Sequence, residues 1–534
     1  MHSIYNVNSN EQDDFNDDFP VPFIDVLDRV KPGTPLTTDI ALKDGKSITH
    51  AILPADHTHI FSGDSIEMIW VYGETLEESV SMGKKVVESP HSEMPFEVTL
   101  EMLTAATANG HQASLYYYYT PNGGPAQKIH GETADIDQRK FTVEVETTPS
   151  YDIYVTGACD HWQLAKKEQI HTLTNLDNRD HKWRSVTRGG CSHLAISDKG
   201  QLWGFGYNGT GALGTGDYVD PEAPTLCSFG ENGSHPTNIV QATTAFYYSA
   251  ALDSDGYLYV TGNHSYGCLG DNQGDVNTCN FAKLGERKYK YISASNMYQE
   301  GYRGYTLFAI GKDDDDEGCL YRCGWSDANC NVHLSDEANA PAITTMKKVD
   351  DGTLSEHKWL SVAQTKFMGA AINEDHEVYV WGNAWEGCLG NRDNSGKHYD
   401  PFKLSFNGET PKIKKVVLGG QHALALDMDG NVWGWGWNES HTLAQSDTGA
   451  IFEPFIISIA NNEPCQDIAA DLYQSAAVTT DGKLYVWGQS AYGNIGLPDG
   501  SIMLPTYVPF EEKIGAIQMG YWSTLALSTG EPVA

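Results

Sequence analysis

Several groups of residues have the types and spacing of chemistry. Cys319, Cys323, Cys330 and His333 together form the donor set of a zinc site. Cys319 and Cys323, however, flank Leu320-Tyr321-Arg322, which reads as a strand, and four residues of strand span about 13 Å. Two ligands of one zinc ion cannot stand that far apart. The Asp-x-Asp-Gly turns at 253–256 and 427–430 look like pieces of calcium loops. They lack the further ligands and the closing Glu of such a loop, and they return at one fixed place, which is turn chemistry. The acidic run Asp313–Glu317 sits at the corresponding turn and is expected to be a solvated insertion. His193 and His422 read as equivalent positions in two repeats, hence inter-strand hydrogen-bonding residues and not a catalytic pair. Cys268 and Cys388 share the slot before Leu-Gly, a packing position. The chain contains no G-x-S-x-G, H-E-x-x-H or phosphate-binding loop. No catalytic residue, cofactor or metal is expected, and the chain does not read as an enzyme.

Composition narrows the partners. The chain has 534 residues, with 35 Lys+Arg against 71 Asp+Glu and a formal charge of -36. Neutralising phosphates requires a Lys/Arg face, so nucleic acid is not an expected partner. No apolar run approaches the ~18–20 residues of a membrane span. The first 28 residues contain seven acids and no Lys or Arg, and residues 1–34 read as an acidic, mostly disordered tail. That N-terminus lacks the basic and apolar regions of a Sec-type signal. All ten cysteines lie at or beyond Cys159 and are spread widely, unlike a disulfide-stapled module. The expected location is cytoplasmic, or outside after export by another route. The Asn-x-Ser/Thr triplets at Asn208, Asn232, Asn263 and Asn438 would matter only after passage through a eukaryotic lumen.

The elements that position these residues come from self-similarity. HLAISDKGQLWGFGYNGTGALG (193–214) recurs as SAALDSDGYLYVTGNHSYGCLG (249–270), GAAINEDHEVYVWGNAWEGCLG (369–390), HALALDMDGNVWGWGWNESHTLA (422–444) and SAAVTTDGKLYVWGQSAYGNIG (475–496). A degraded copy occupies 306–332. The closing glycines Gly206, Gly262, Gly324, Gly382, Gly436 and Gly488 are spaced 56, 62, 58, 54 and 52 residues apart. Each unit predicts a strand of small residues, a tight turn and an alternating strand ending at the glycine. The small-residue strand is expected near the crowded axis of a ring. HKWRSV (181–186) and HKWLSV (357–362) begin further strands. Four short strands per unit, repeated, predict an all-β propeller. Residues 523–530 read as a first strand without a second, and 151–164 as a second strand without a first. Together they complete one sheet, giving a seven-bladed β-propeller over 147–534 closed by both termini of that segment.

With its WGxNxxGxLG core, the segment ~147–534 resembles the regulator of chromosome condensation repeat family. The resemblance implies a scaffold whose loops bind another protein, as in an exchange factor for a GTPase, ubiquitin-ligase propellers and a bacterial inhibitor of β-lactamase. The repeat motif carries no catalytic residues, and the exchange factor's wedge has no counterpart here. Residues 35–146 differ: strands are expected at 65–72, 96–101, 114–119 and 141–145, with a helical turn at 103–108. This region resembles an immunoglobulin-like β-sandwich of bacterial surface proteins, which implies a spacer or adhesive unit.

Recognition is expected where equivalent positions diverge, at the third and fourth residues after each closing glycine. Across the repeats these include Asp160 and His161, Tyr266, Asp327, Trp385 and Glu386, Glu439, and Tyr492. The aromatics are the anchors and the acids suit a basic partner. A protein partner is the leading expectation. A glycan, bound by an adhesin or lectin-like factor, is the alternative, and a host-directed GTPase exchange factor or toxin component is a third.

Overall fold

The computed structural model divides into two compact units, 1–147 and 148–534. It describes residues 150–533 except 159–168, 177–180, 275, 296–303, 314, 327–341, 350–354, 366, 395 and 521–522; of 1–149 it describes the strands named next and Met102.

In the front unit, Leu36–Thr37, Phe141–Glu144, Gln112–Thr120, Ser65–Val71 and Ser79–Val86 form one sheet in that order, with Gln127–Ile129 also paired to Gln112–Thr120. Ile66, Met68 and Trp70 alternate along their strand and are fully buried. Phe23–Ile24, His50–Leu53 and Met94–Glu97 make a second sheet, and Leu42–Lys43 pairs with Lys46–Ser47. The strand expected at 96–101 thus lies at 94–97. Phe23–Ile24 belongs to a ladder and not to a disordered tail; the rest of 1–34 and the turn at 103–108 lie outside the described residues, save strand-free Met102 beside them. Val143 pairs in parallel with Leu36. These ladders define strands, and not the face-to-face packing of an immunoglobulin-like sandwich.

The second unit is all β and has the propeller fold. Five sheets have four strands and one has seven. Seven separate four-stranded sheets were expected, so the count of separate blades is corrected to five plus one fused sheet. The cause is the strand Asn277–Ala294, 18 residues long. Its first part pairs with Tyr257–Asn263 and its last part with Gly304–Gly311. Elsewhere the passage between sheets holds turn formers such as Asn-Gly or Pro, as in 227–238 and 404–412. Here only Gly285, at φ 64°, interrupts the run, and one positive φ bends a strand without ending it.

The fragments at the two ends of the unit do share a sheet. Asp152–Gly157 pairs with Ser523–Pro532 in unbroken antiparallel register from Asp152–Ser528 to Gly157–Ser523. Ile170–Asn175 and Glu512–Met519 flank this pair. A cavity of about 350 Å³ runs between inner strands, touched by Val186, Ala242, Ile292, Val362, Val416, Ile468 and Met519. The strands of HKWRSV type are therefore innermost. The small-residue strands, with Ala250, Ala371, Ala425 and Ala477 fully buried, are second from the cavity, and of their residues Leu194 and Ile196 alone touch it. Small side chains there let neighbouring sheets approach closely. Near the cavity, Arg188 forms a buried ion pair with Asp471 at 3.1 Å and donates to the Ala470 carbonyl at 3.1 Å.

Candidate interaction face

Antiparallel order places two kinds of connection at one end of each sheet: first strand to second, and third to fourth. The second kind starts at the closing glycine. Gly436 sits at φ 103°, and a Cβ there would meet the Gln421 carbonyl at 2.4 Å; Gly488 and the Tyr473 carbonyl repeat this at 2.3 Å. Only glycine permits this turn and approach. The next residue then donates its N–H to that same carbonyl: Trp437 to Gln421 and Gln489 to Tyr473, each at 2.8 Å. The two connections of one sheet are thereby tied together.

Inside the loops, buried asparagines replace regular structure. Asn208 accepts from the Leu213 N–H at 3.0 Å, and Asn438 from the Leu443 N–H at 2.8 Å. Their side-chain amides donate within the same loops, so these two triplets are structural and their amides are engaged. The loops are also fastened to the neighbouring sheet. Trp435 Nε1 donates to the Cys388 carbonyl at 3.0 Å and Trp487 Nε1 to the Thr442 carbonyl at 2.7 Å. Thr261 and Thr156, in the same slot, donate to the Gly211 and Gly493 carbonyls at 3.1 and 2.7 Å. The residue before each of these closing glycines thus holds the preceding repeat's loop.

On these held loops, Trp385 is 51% exposed and Tyr492 50%. Glu439 is exposed and Glu386 half-buried. Tyr266 is half-buried, with its ring stacked on Trp325 at 5.3 Å and 18°; it is a packed residue where a free anchor was expected. Asp160, His161 and Asp327 lie outside the described residues. Tyr266, Glu386 and Tyr492 all have positive φ, between 53° and 60°. An inner set escaped the sequence reading: Phe246, Tyr247, Phe367 and Tyr473, in the first-to-second connections at the same end and half-buried. Their signal is an aromatic just before or at the start of the small-residue strands at 248–253, 368–373 and 474–479.

Other expectations are revised. Ser192 pairs with Gly206, whereas His422 pairs with Gly436. His422 is thus equivalent to Ser192, and His193 lies one residue further on. A one-residue slip moves a side chain to the other sheet face. His422 Nε2 lies 2.9 Å from the Ser475 hydroxyl, while both ring nitrogens of His193 are buried without a partner. Burial pulls both imidazoles down to about 3. The acidic run is not simply solvated: Asp316 pairs with Arg287 and Lys348, and Glu317 lies near Lys290 and Lys358. The turn aspartates work as turn formers, Asp427 accepting from the N–H groups of Asp429 and Asn431 and from Trp433 Nε1. Cys268 and Cys388 are buried, and burial pushes the Cys388 thiol up to about 12. Among the described residues no group of three His, Cys, Asp or Glu could hold a metal, and Cys330 and His333 lie outside them.

Residues 375–426 and 413–442 match the regulator of chromosome condensation (RCC1) repeat. The chain carries RCC1 repeats. It is 35% identical to the Ultraviolet-B receptor UVR8 of Arabidopsis thaliana over 156 residues, 28% of this chain and 35% of the receptor. Against the mouse E3 ubiquitin-protein ligase HERC2 it is 32% identical over 77% of this chain but 7% of the ligase. The mouse RCC1-like G exchanging factor-like protein is 24% identical over 65% of this chain and 77% of its own length. The chain thus spans about a third of the plant receptor and a small fraction of the ligase. Among solved structures, human WBSCR16 superposes with a TM-score of 0.60 at 18% identity, covering 71% of this chain and 98% of that one. Prp20p of Saccharomyces cerevisiae, studied for binding Gsp1p and histones, gives 0.59 at 18% identity, covering 72% and 92%. At those identities the likeness is one of fold.

Proposed function

We propose that the chain is a non-enzymatic protein-interaction module whose loop face binds a protein partner. The observation that carries this reading is the pair Trp385 and Tyr492, half exposed on loops that are fixed at their bases and fastened to the next sheet. Rigid aromatics lose little entropy on binding and dominate hot spots. Relatives with the same repeats include a receptor, a ligase and an exchange-factor-like protein, and Prp20p has been studied for binding Gsp1p and histones; a binding scaffold is what those roles share. We count seven blades, taking the fused sheet as two that share Asn277–Ala294. Seven strands touching one cavity support that count. We also read 35–146 as a sandwich spacer of the kind that bacterial surface proteins carry.

The exposed aromatics also suit a glycan, the second reading. A pull-down from a native lysate with the full chain, and with Trp385→Ala/Tyr492→Ala, tests the first. The double variant should lose the captured partner while its stability changes by less than about 1–2 kcal/mol. Undiminished capture moves the site to the opposite end of the sheets or to the front unit. Loss of glycan-array binding in the same variant supports the lectin reading instead, and nucleotide-release assays test exchange activity.

A further inference from the structure

Three consecutive sheets supply the loops 383–396, 438–449 and 489–499. Their sequences contain five acids, Glu386, Asp393, Glu439, Asp447 and Asp499, and one base, Arg392. Arg392 is already engaged by Glu453 at 2.6 Å. The opposite end carries both signs: Lys199, Lys312, Lys358, Lys412, Lys483 and Lys513 lie at or beside the connections there, together with acids such as Asp198, Asp316, Glu374, Asp375, Asp429 and Asp481. The loops 383–396, 438–449 and 489–499 differ from that end in having almost no cation.

The aromatics of this arc have an order. Trp385 and Phe367 belong to the sheet 359–403, and Tyr492 and Tyr473 to the sheet 465–507. The sheet between them offers Gly419-Gly420-Gln421 in its first connection and Glu439-Ser440 in its loop. Its loop acids Glu439 and Asp447 are both exposed. At this end the middle sheet presents two exposed carboxylates beside half-buried Trp437, with the exposed aromatics Trp385 and Tyr492 on the sheets to either side.

We infer that this arc receives an extended protein segment with Lys or Arg at its centre and apolar side chains toward its ends. The inference rests on the loop-face reading above and names the partner's chemistry. Carboxylates between two aromatic flanks attract a cation by charge and hold its aliphatic stem against ring faces. A segment lacking that central cation would leave the carboxylates facing an apolar surface, which costs affinity. The excess of negative charge at this end would also speed encounter, and salt would slow it.

The test pans a phage-displayed library of short random peptides on the full chain, then measures the enriched peptides by fluorescence anisotropy at low and high salt. Peptides rich in Lys/Arg should emerge. Glu439→Gln/Asp447→Asn should weaken them about tenfold and flatten the salt dependence. Asp375→Asn/Asp429→Asn, at the opposite end, should change affinity less than about twofold. Equal weakening by both pairs, or none by the first, overturns the inference, because binding is then general attraction to an acidic chain. Enriched peptides without Lys/Arg that still require Trp385 and Tyr492 overturn it while leaving the loop-face reading intact. Enrichment that depends on neither the acids nor the aromatics overturns both.

Discussion

The repeat at 422–444 and the degraded copy at 306–332 show one architecture held in two ways. In the regular repeat the tight turn is organised by a single carboxylate, Asp427, which accepts from the Asp429 and Asn431 N–H groups, the Asn431 side-chain amide and Trp433 Nε1. In the degraded copy the turn is enlarged to Asp313–Glu317, and the acids reach out to cations on other strands. The regular repeat has Gly434 two residues before its closing glycine, packed on Leu443 and Ile457. The degraded copy has Arg322 there, 2% exposed, with both terminal nitrogens lacking a partner. Burial pulls that guanidinium down to about 10. The regular turn is organised by local hydrogen bonds, whereas the degraded copy ties its turn to other segments by charge and buries an unpartnered guanidinium.

Trp435→Ala should have the largest effect. It removes a fully buried indole and the hydrogen bond on the Cys388 carbonyl, and should cost about 3–5 kcal/mol in denaturant unfolding. If the loss is under about 1 kcal/mol, the sheets are not held at this slot and the contrast with the degraded copy weakens. Arg322→Met should act in the opposite direction. Replacing an unpaired buried charge by an apolar side chain of similar volume should stabilise by about 1–4 kcal/mol, seen as a higher denaturation midpoint. A destabilised Arg322→Met would show that the guanidinium has a counter-charge. The finest test compares two acids. Asp427→Ala should cost about 1–3 kcal/mol, because a buried carboxylate with four donors is lost and its partners are orphaned. Asp316→Asn, in half-exposed ion pairs, should cost less than about 1 kcal/mol and less still in high salt. Equal losses would erase the distinction between the two turns.

Much of this was legible in the sequence, for physical reasons. A glycine with positive φ every 52–62 residues leaves its trace whatever surrounds it, and so do the Asp-Gly turns and the unmatched strands at 151–164 and 523–530. Period-two alternation reveals which residues share a sheet face. It does not reveal which face meets which neighbour, so the small-residue strands were put at the cavity wall instead of one layer out. Nor does it fix register to one residue, so His193 and His422 look equivalent in sequence while standing one residue apart in their ladders. The merging of two sheets through Asn277–Ala294 depends on an absence of turn formers, a weak signal against six loud repeats. Tyr266 looked like Tyr492 because the sequence does not show Trp325 lying against it. The inner aromatics carry no glycine marker of their own: they precede the small-residue strand, whereas the outer loops follow the closing glycine.

The fastenings between sheets end on main-chain carbonyls: those of Gly211, Cys388, Thr442 and Gly493. A carbonyl is offered by every residue, so the fastening is indifferent to the side chain above it. Each loop tip is in this sense an interchangeable cartridge on a standard fitting. Mutation can explore the tips one at a time, trading one partner for another, while the ring that carries them pays almost nothing in stability. That is how a set of near-identical repeats can acquire a face on which no two positions say the same thing.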